Sequence, residues 1–319
     1  MPQLIEYSRT LIKDKLIPER LTIPVETWVL LGLTLIASAA FLWALWPKLL
    51  LLMQSSGENR LDRPAQRLRN TLRIALGQSK MFKDRPAGWM HALIFWGFLI
   101  LLVRALYFFI LGLYPLYFGV IETYGIKINH TFLSYPYYNH SGSFRLIAGS
   151  YLIVKDGVVL LVTLACGYAL FRRLVRKPKR LTQSWEASLI LILILVIMIS
   201  DIVYDVAHTR FLGDTPPFFL GFILLKTGVV EFSWEESYAV LSAAYWTHVL
   251  SILTFLVILP RSKHFHIITS IPNVFLGNVT QTGNQLSRID FEDESKETFG
   301  VTRIEEFSWK KLLDLHTCT

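Results

Sequence analysis

The sequence predicts an all-α integral membrane protein, a five-helix bundle with its amino terminus outside and its carboxyl terminus in the cytoplasm. Three observations carry that expectation. Of 319 residues, 53% are hydrophobic and 18% charged, and the apolar ones gather into runs long enough to cross roughly 30 Å of hydrocarbon as helices. The runs do not alternate in polarity: Leu189 to Ile197 is apolar at every position, whereas a barrel strand changes face at every residue. Lysine and arginine collect in alternate connections between the runs, the bias that sets orientation in a membrane.

Residues 1–26 mix Glu6, Arg9, Lys13, Asp14, Lys15, Glu19 and Arg20 with apolar residues. They read as an interfacial segment rather than a cleavable signal. The membrane domain follows over 27–270, with spans expected at Trp28–Met53, Trp89–Tyr114, Ile147–Leu170, Trp185–His208 and Ala239–Pro260. The first connection carries Arg60, Arg63, Arg67, Arg69, Arg73, Lys80, Lys83 and Arg85, and the third carries Arg172, Arg173, Arg176, Lys177, Lys179 and Arg180. Both are expected in the cytoplasm. From Pro115 to Phe144 the only lysine or arginine is Lys127 and tyrosines are frequent, as suits an outer loop. Pro216–Phe232 is apolar but short, opens on two prolines and contains Lys226, and is expected to lie at the outer interface or re-enter rather than cross. Residues 271–319 turn polar, with Asp290, Glu292, Asp293, Glu294 and Glu297, and read as a cytoplasmic linker. The net charge of +8 resides in the connections, so it reports orientation and gives no reason to expect nucleic acid. Two cysteines, Cys166 and Cys318, make no disulfide framework.

The histidines point to chemistry. An imidazole held in hydrocarbon is costly unless something binds it. His248 and His266 are 18 residues apart (266 − 248), which on one straight helix is five turns, about 27 Å along one face. Such a stripe, with one ring near each membrane surface, suggests two stacked haems. A haem iron takes an imidazole on each side, so its ligands come from different helices at one depth. His91 matches His266 on the inner side, and His208 ends a span on the outer side with His248. The bland reading is that a histidine at a helix end serves the interface. His264 is expected to be solvated or near a haem propionate, and His130 and His140 to lie in the outer loop, with His140 the fallback outer ligand.

Arg104, Lys155, Asp156, Asp201 and Asp205 all fall within spans. Asp201 and Asp205, four residues apart, share a helix face, and Lys155 or Arg104 is positioned to pair with them. Two readings stand: a charge cluster that locks helices together, with Arg104 alternatively on a haem propionate, or a quinol pocket in which Asp201 or Asp205 takes a proton. The aromatic run Phe95, Trp96, Phe98, Tyr107, Phe108 and Phe109 packs against porphyrin edges or, more ordinarily, lipid and neighbouring helices, and Gly97 lets one or the other come close.

The last-helix run from Trp246-Thr247-His248 to Leu259-Pro260-Arg261-Ser262-Lys263-His264-Phe265-His266, with Pro272 beyond it, resembles the gamma-subunit family of respiratory nitrate reductase. That family is a five-helix di-haem cytochrome b. The resemblance implies His248 as ligand to the outer haem and His266 to the inner, with His91, in Trp89-Met90-His91-Ala92-Leu93, completing the inner pair. The family's further second-helix histidine corresponds to Leu101 here, so an outer haem takes another ligand, for which His208 is the choice, or is absent. The chain also resembles the amino-terminal cytochrome part of membrane-bound heterodisulfide-reductase-like proteins, including electron-transferring-flavoprotein:menaquinone oxidoreductases. The residues concerned are Asp62-Arg63-Pro64, Gly77-Gln78 and His91 to Phe98. In those proteins a ferredoxin-type module follows, and Cys318 resembles its first ligand. One cysteine cannot hold a cluster, so no iron-sulfur cluster is assigned to this chain, which is expected to lack that module.

The resulting expectation is a b-type cytochrome domain with one or two haems b, in a prokaryotic cytoplasmic membrane. It exchanges electrons between menaquinone or ubiquinone and a cytoplasmic iron-sulfur domain or subunit, or an electron-transferring flavoprotein, among membrane lipid. An ion or solute transporter and a cofactor-free membrane anchor are the alternatives; the first expects broken helices or inverted repeats.

Overall fold

The computed structural model describes residues 25–113, 122–123, 126–127, 143–179, 184–212, 219–231, 233–279, 301 and 303–317. Residues 1–24, Tyr114, His130, His140, Pro216, the acidic run from Asp290 to Glu297 and Cys318 lie outside them, and so do the expectations that rest on them.

The protein is all-α. Five helices are long and apolar enough to cross a membrane: α1 (Val25–Gln54), α3 (Arg85–Leu113), α4 (Ser143–Phe171), α5 (Trp185–Leu212) and α7 (Trp234–Ile258). Shorter helices are α2 (Pro64–Thr71), α6 (Phe219–Lys226), α8 (His266–Phe275) and α9 (Trp309–Thr317). One antiparallel pair, Glu122–Thr123 with Ile126–Lys127, interrupts the helical pattern. Burial is inverted relative to a water-soluble protein. Leu35, Ile36, Trp43, Val103, Leu106, Ile110, Leu164, Ile199 and Leu250 are exposed, whereas Arg104, Lys155, Asp201 and Asp205 are each 1–2% exposed. Large apolar side chains on every long helix therefore face outward, which is stable only in lipid.

The chain divides into two compact units, to which each long helix contributes a stretch. The first comprises 1–36, 96–164 and 194–253. Its core holds Leu30, Phe108, Leu111, Val159, Val162, Tyr204, Val206, Leu241 and Val249. Gly97 on α3 admits a helix: a Cβ there would stand 2.2 Å from Val162 of α4. Of the two expectations for this glycine, the close helix is the one observed. Gly112 likewise leaves room for the Tyr245 hydroxyl, which donates to the Phe108 carbonyl at 3.1 Å. Helix α6 has 8 residues, about 12 Å at 1.5 Å per residue and too short to span. It abuts α5, with a Cβ at Gly221 lying 3.3 Å from the Asp205–Val206 backbone.

The second unit comprises 37–95, 165–193 and 254–319. Here one expectation from the sequence fails: His248 and His266 do not share a straight helix. Helix α7 ends at Ile258, a 3-10 turn follows over Leu259–Arg261, Ser262 is extended at φ −101° and ψ 167°, and a second 3-10 turn, Lys263–Phe265, leads into α8 at His266. Pro260 supplies no N–H and its ring clashes with the carbonyl four residues back, which ends the helix. Ser262 then starts the next turn, its hydroxyl accepting the His264 N–H at 3.2 Å as an N-cap does.

Arg67 ties this unit together. It is 1% exposed and donates to the Asp62 carbonyl at 2.6 Å, the Phe275 carbonyl at 3.2 Å and the Gly277 carbonyl at 2.6 Å, while pairing with the Asp62 carboxylate. The Arg67 guanidinium holds that exposed carboxyl below its usual range. The bonds to Phe275 and Gly277 satisfy carbonyls at the end of α8 that have no helical partner. Helix α9 is pinned at its start, Trp309 donating from Nε1 to the Glu58 carbonyl at 2.9 Å and Ser56 pairing with Ser308 as a parallel bridge. Lys310 reaches Asn273 on α8 at 2.6 Å and Asp314 at 2.6 Å. Replacing Arg67 by Met is expected to destabilise this unit by about 3 kcal/mol, the worth of one or two bonds to a charged group. The measurement is limited proteolysis after residue 275, which should accelerate in the variant with the five long helices retained by circular dichroism.

Candidate functional site

In the second unit the structure brings His91 and His266 together. Their ring centroids are 6.3 Å apart with planes at 30°, although 175 residues (266 − 91) separate them in sequence. The His266 Nδ1 lies 2.9 Å from the Lys263 carbonyl. A carbonyl only accepts, so Nδ1 carries the hydrogen and Nε2 the lone pair of the neutral ring. That is the arrangement of a metal-binding histidine, oriented through its other nitrogen by a backbone carbonyl. The His91 Nδ1 is buried with no hydrogen-bond partner among the described residues. With metal–imidazole bonds of about 2.0–2.1 Å, two imidazoles sharing one ion place their centroids roughly 6 Å apart, so the observed spacing fits such a pair. His264 has its ring 6.1 Å from that of His266 and is half-buried, not freely solvated. Burial, with His266 and Arg173 nearby, pushes it down to about 4, so it is neutral at pH 7.

In the first unit Arg104, Lys155, Asp201 and Asp205 form one ion cluster across α3, α4 and α5. Arg104 donates from Nε to Asp201 at 2.7 Å and from Nη2 to Asp205. Lys155 donates to Asp201 at 3.0 Å and to Asp205, and pairs with Asp156 at 2.8 Å. Asp156 in turn accepts the Leu220 N–H of α6 at 2.9 Å, where the first turn of a helix offers unpaired donors. Among these five side chains three carboxylates face two cations, so the group carries a formal charge of −1 when all are ionised. It can take up one proton without acquiring excess positive charge.

His248 sits beside this cluster, 2% exposed. Its Nδ1 is 3.1 Å from both the Ser200 hydroxyl and the Ile197 carbonyl, so Nδ1 carries the hydrogen. Nε2 is buried without a hydrogen-bond partner among the described residues. Aromatic rings link His248 to His208 in steps. Phe108 lies 4.4 Å from His248 and 4.8 Å from Tyr204, and Tyr204 lies 5.8 Å from His208. Sequence reasoning missed Tyr204 and Ser200. Ser200 adjoins Asp201 and Tyr204 adjoins Asp205, one helical turn apart on α5, and this spacing was the available signal. Among the described residues no three His, Cys, Asp or Glu side chains converge as a metal cage.

Comparison with known proteins bears on the class of molecule. The chain is 30% identical over 246 residues, 76% of its length and 31% of the relative's, to the probable iron-sulfur-binding oxidoreductase FadF of Bacillus subtilis (strain 168). It is 27% identical over 314 residues, 93% of its length and 39% of the relative's, to the EtfAB:quinone oxidoreductase of Syntrophomonas wolfei subsp. wolfei. The chain thus spans about a third of the length of the curated relatives it matches. No protein-family model matches it, and no solved structure matches it. One relative is named an iron-sulfur-binding oxidoreductase and the other a quinone oxidoreductase, and the longer match covers 93% of the chain, so the part left outside it, about 22 residues, is shorter than any of the five long apolar helices.

Proposed function

We propose that this chain is the membrane electron-transfer domain of a quinone-linked oxidoreductase, in which His91 and His266 would hold a haem b. The observation that carries the reading is the 6.3 Å spacing of the two rings, with the His266 Nδ1 hydrogen held by Lys263. Bound there, a haem would supply a one-electron carrier, the chemistry needed where a two-electron quinone meets an iron-sulfur centre. The names of the relatives support a quinone and an iron-sulfur partner. The nitrate reductase gamma-subunit-like arrangement belongs to this proposal, as do the cytoplasmic side of the carboxyl terminus, the prokaryotic cytoplasmic membrane and the membrane range 27–270 with its linker beyond. In the same reading His248 and His208 ligate a second haem, and Phe108 and Tyr204 must turn aside to admit it.

The residues of the first unit have their own part. Arg104 and Lys155 hold Asp201 and Asp205 in place, and a carboxylate of this group takes a proton released by quinol at a neighbouring site. The cluster has room for one such proton by charge. The buried arrangement equally locks α3, α4 and α5 together, and both roles use the same contacts.

The reduced-minus-oxidised absorbance spectrum of the purified protein should show a b-type band, and its absence would overturn the haem assignment. His91→Leu and His266→Leu should each remove one haem per chain by pyridine haemochrome titration. His248→Leu should leave that haem and remove the second, if titration of the parent chain gives two. Asp205→Asn should slow quinol-driven haem reduction by about 100-fold, the lower range for loss of a positioned proton acceptor, while dithionite still reduces the haem fully. An unchanged rate would take Asp205 out of the mechanism.

A further inference from the structure

A cavity of about 300 Å³ opens in the second unit, with Lys48, Arg261, Lys263 and His316 in its wall and Phe265 beside them. None of the three permanent cations has a carboxylate partner among the described residues, and no carboxylate lines the cavity. Two are positioned by aromatic faces: the Lys48 Nζ stands 4.8 Å from the Phe265 ring centroid and the Arg261 guanidinium 4.9 Å from that of Trp43. Such contacts orient a cation without neutralising it. The His316 Nε2 is buried with no hydrogen-bond partner among the described residues. Three like charges around one cavity repel one another, and the repulsion is relieved by an anion.

The position of the cavity narrows the choice of anion. Arg261 is the last residue of a membrane span, and Lys48 lies six residues before the end of α1 (54 − 48), so both are at the depth where helix ends meet the headgroup layer. Trp43, Trp46 and Leu49 of α1 are exposed next to Lys48 in sequence, offering apolar surface alongside the charged wall. We propose that this cavity is a binding site for a phosphate group, supplied by the headgroup of an anionic lipid or by free phosphate. Arg261 presents paired N–H donors to phosphate oxygens, and Lys48 and Lys263 act as point charges. The proposal does not depend on haem or on the electron-transfer reading.

The test uses the full chain in nanodiscs of phosphatidylcholine with either phosphatidylglycerol or more phosphatidylcholine, read by native mass spectrometry of retained lipid. Binding of inorganic phosphate is measured separately by calorimetry. Retention of phosphatidylglycerol over phosphatidylcholine identifies a lipid headgroup, and calorimetric binding of phosphate with no lipid preference identifies free phosphate. Lys48→Gln with Arg261→Gln should weaken whichever binds on the order of tenfold or more, and Arg261→Lys should restore part of it. If the double variant does not fold, the two single variants are measured separately and each should weaken binding. No preference and no phosphate binding, or binding unchanged by the substitutions, overturns the proposal. So does a change confined to haem content, since that would give these cations to haem carboxylates.

Discussion

The constraint on which the first unit depends is the cost of placing Arg104, Lys155, Asp201 and Asp205 where water is absent. Each is 1–2% exposed, and an unpaired charge at such a place costs several kcal/mol or more. Each carboxylate receives donors from both cations, and those cations stand on different helices. Hydrogen bonds to charged groups are directional, so the network fixes the rotation and height of α3 and α4 relative to α5 far more narrowly than contacts between leucines would. An all-apolar replacement of similar volume would be no less stable. What the charges provide is a single arrangement, within which Ser200, Tyr204 and His208 of α5 also take their places.

In the second unit the corresponding role falls to a discontinuity. Pro260 ends α7 and Ser262 begins a new turn, and the direction of the His266 ring is set by its own local bond to Lys263. The end of the new helix is held by Arg67 from a distant part of the chain. A histidine on an uninterrupted helix would inherit its orientation from that helix. Here two short turns and a buried arginine determine it.

The fold was legible in the sequence because long apolar runs have few alternatives in a membrane. Expected spans and observed helices agree to within about five residues at each end, and the largest departure, Ala239 against Trp234, occurs where the helix extends beyond the apolar run into polar residues. The pairing of His91 with His266, and of Arg104 and Lys155 with the two aspartates, followed from matching depth and from the cost of isolated charge. The last helix is not straight because Pro260 cannot continue the hydrogen-bond ladder, which hydrophobic spacing alone does not register. Arg67 was read as one of many loop charges. Its burial depends on carbonyls at Phe275 and Gly277, some 200 residues away, which no local pattern announces. Helix α9 was passed over as linker, although Trp309, Leu312 and Leu313 have the spacing of an apolar helix face.

That last helix has a mechanical consequence. Lys310, Leu312 and Leu313 are buried, and the Lys310 ammonium grips Asn273, seven residues along the helix that begins with His266. Close-packed interiors yield little and transmit strain. A pull or twist applied to the segment around residue 310 is therefore delivered through a rigid rod of two turns to the imidazole at its far end. The final stretch of polypeptide works as a handle on that ring, and whatever grasps it acquires leverage over the direction in which the imidazole points.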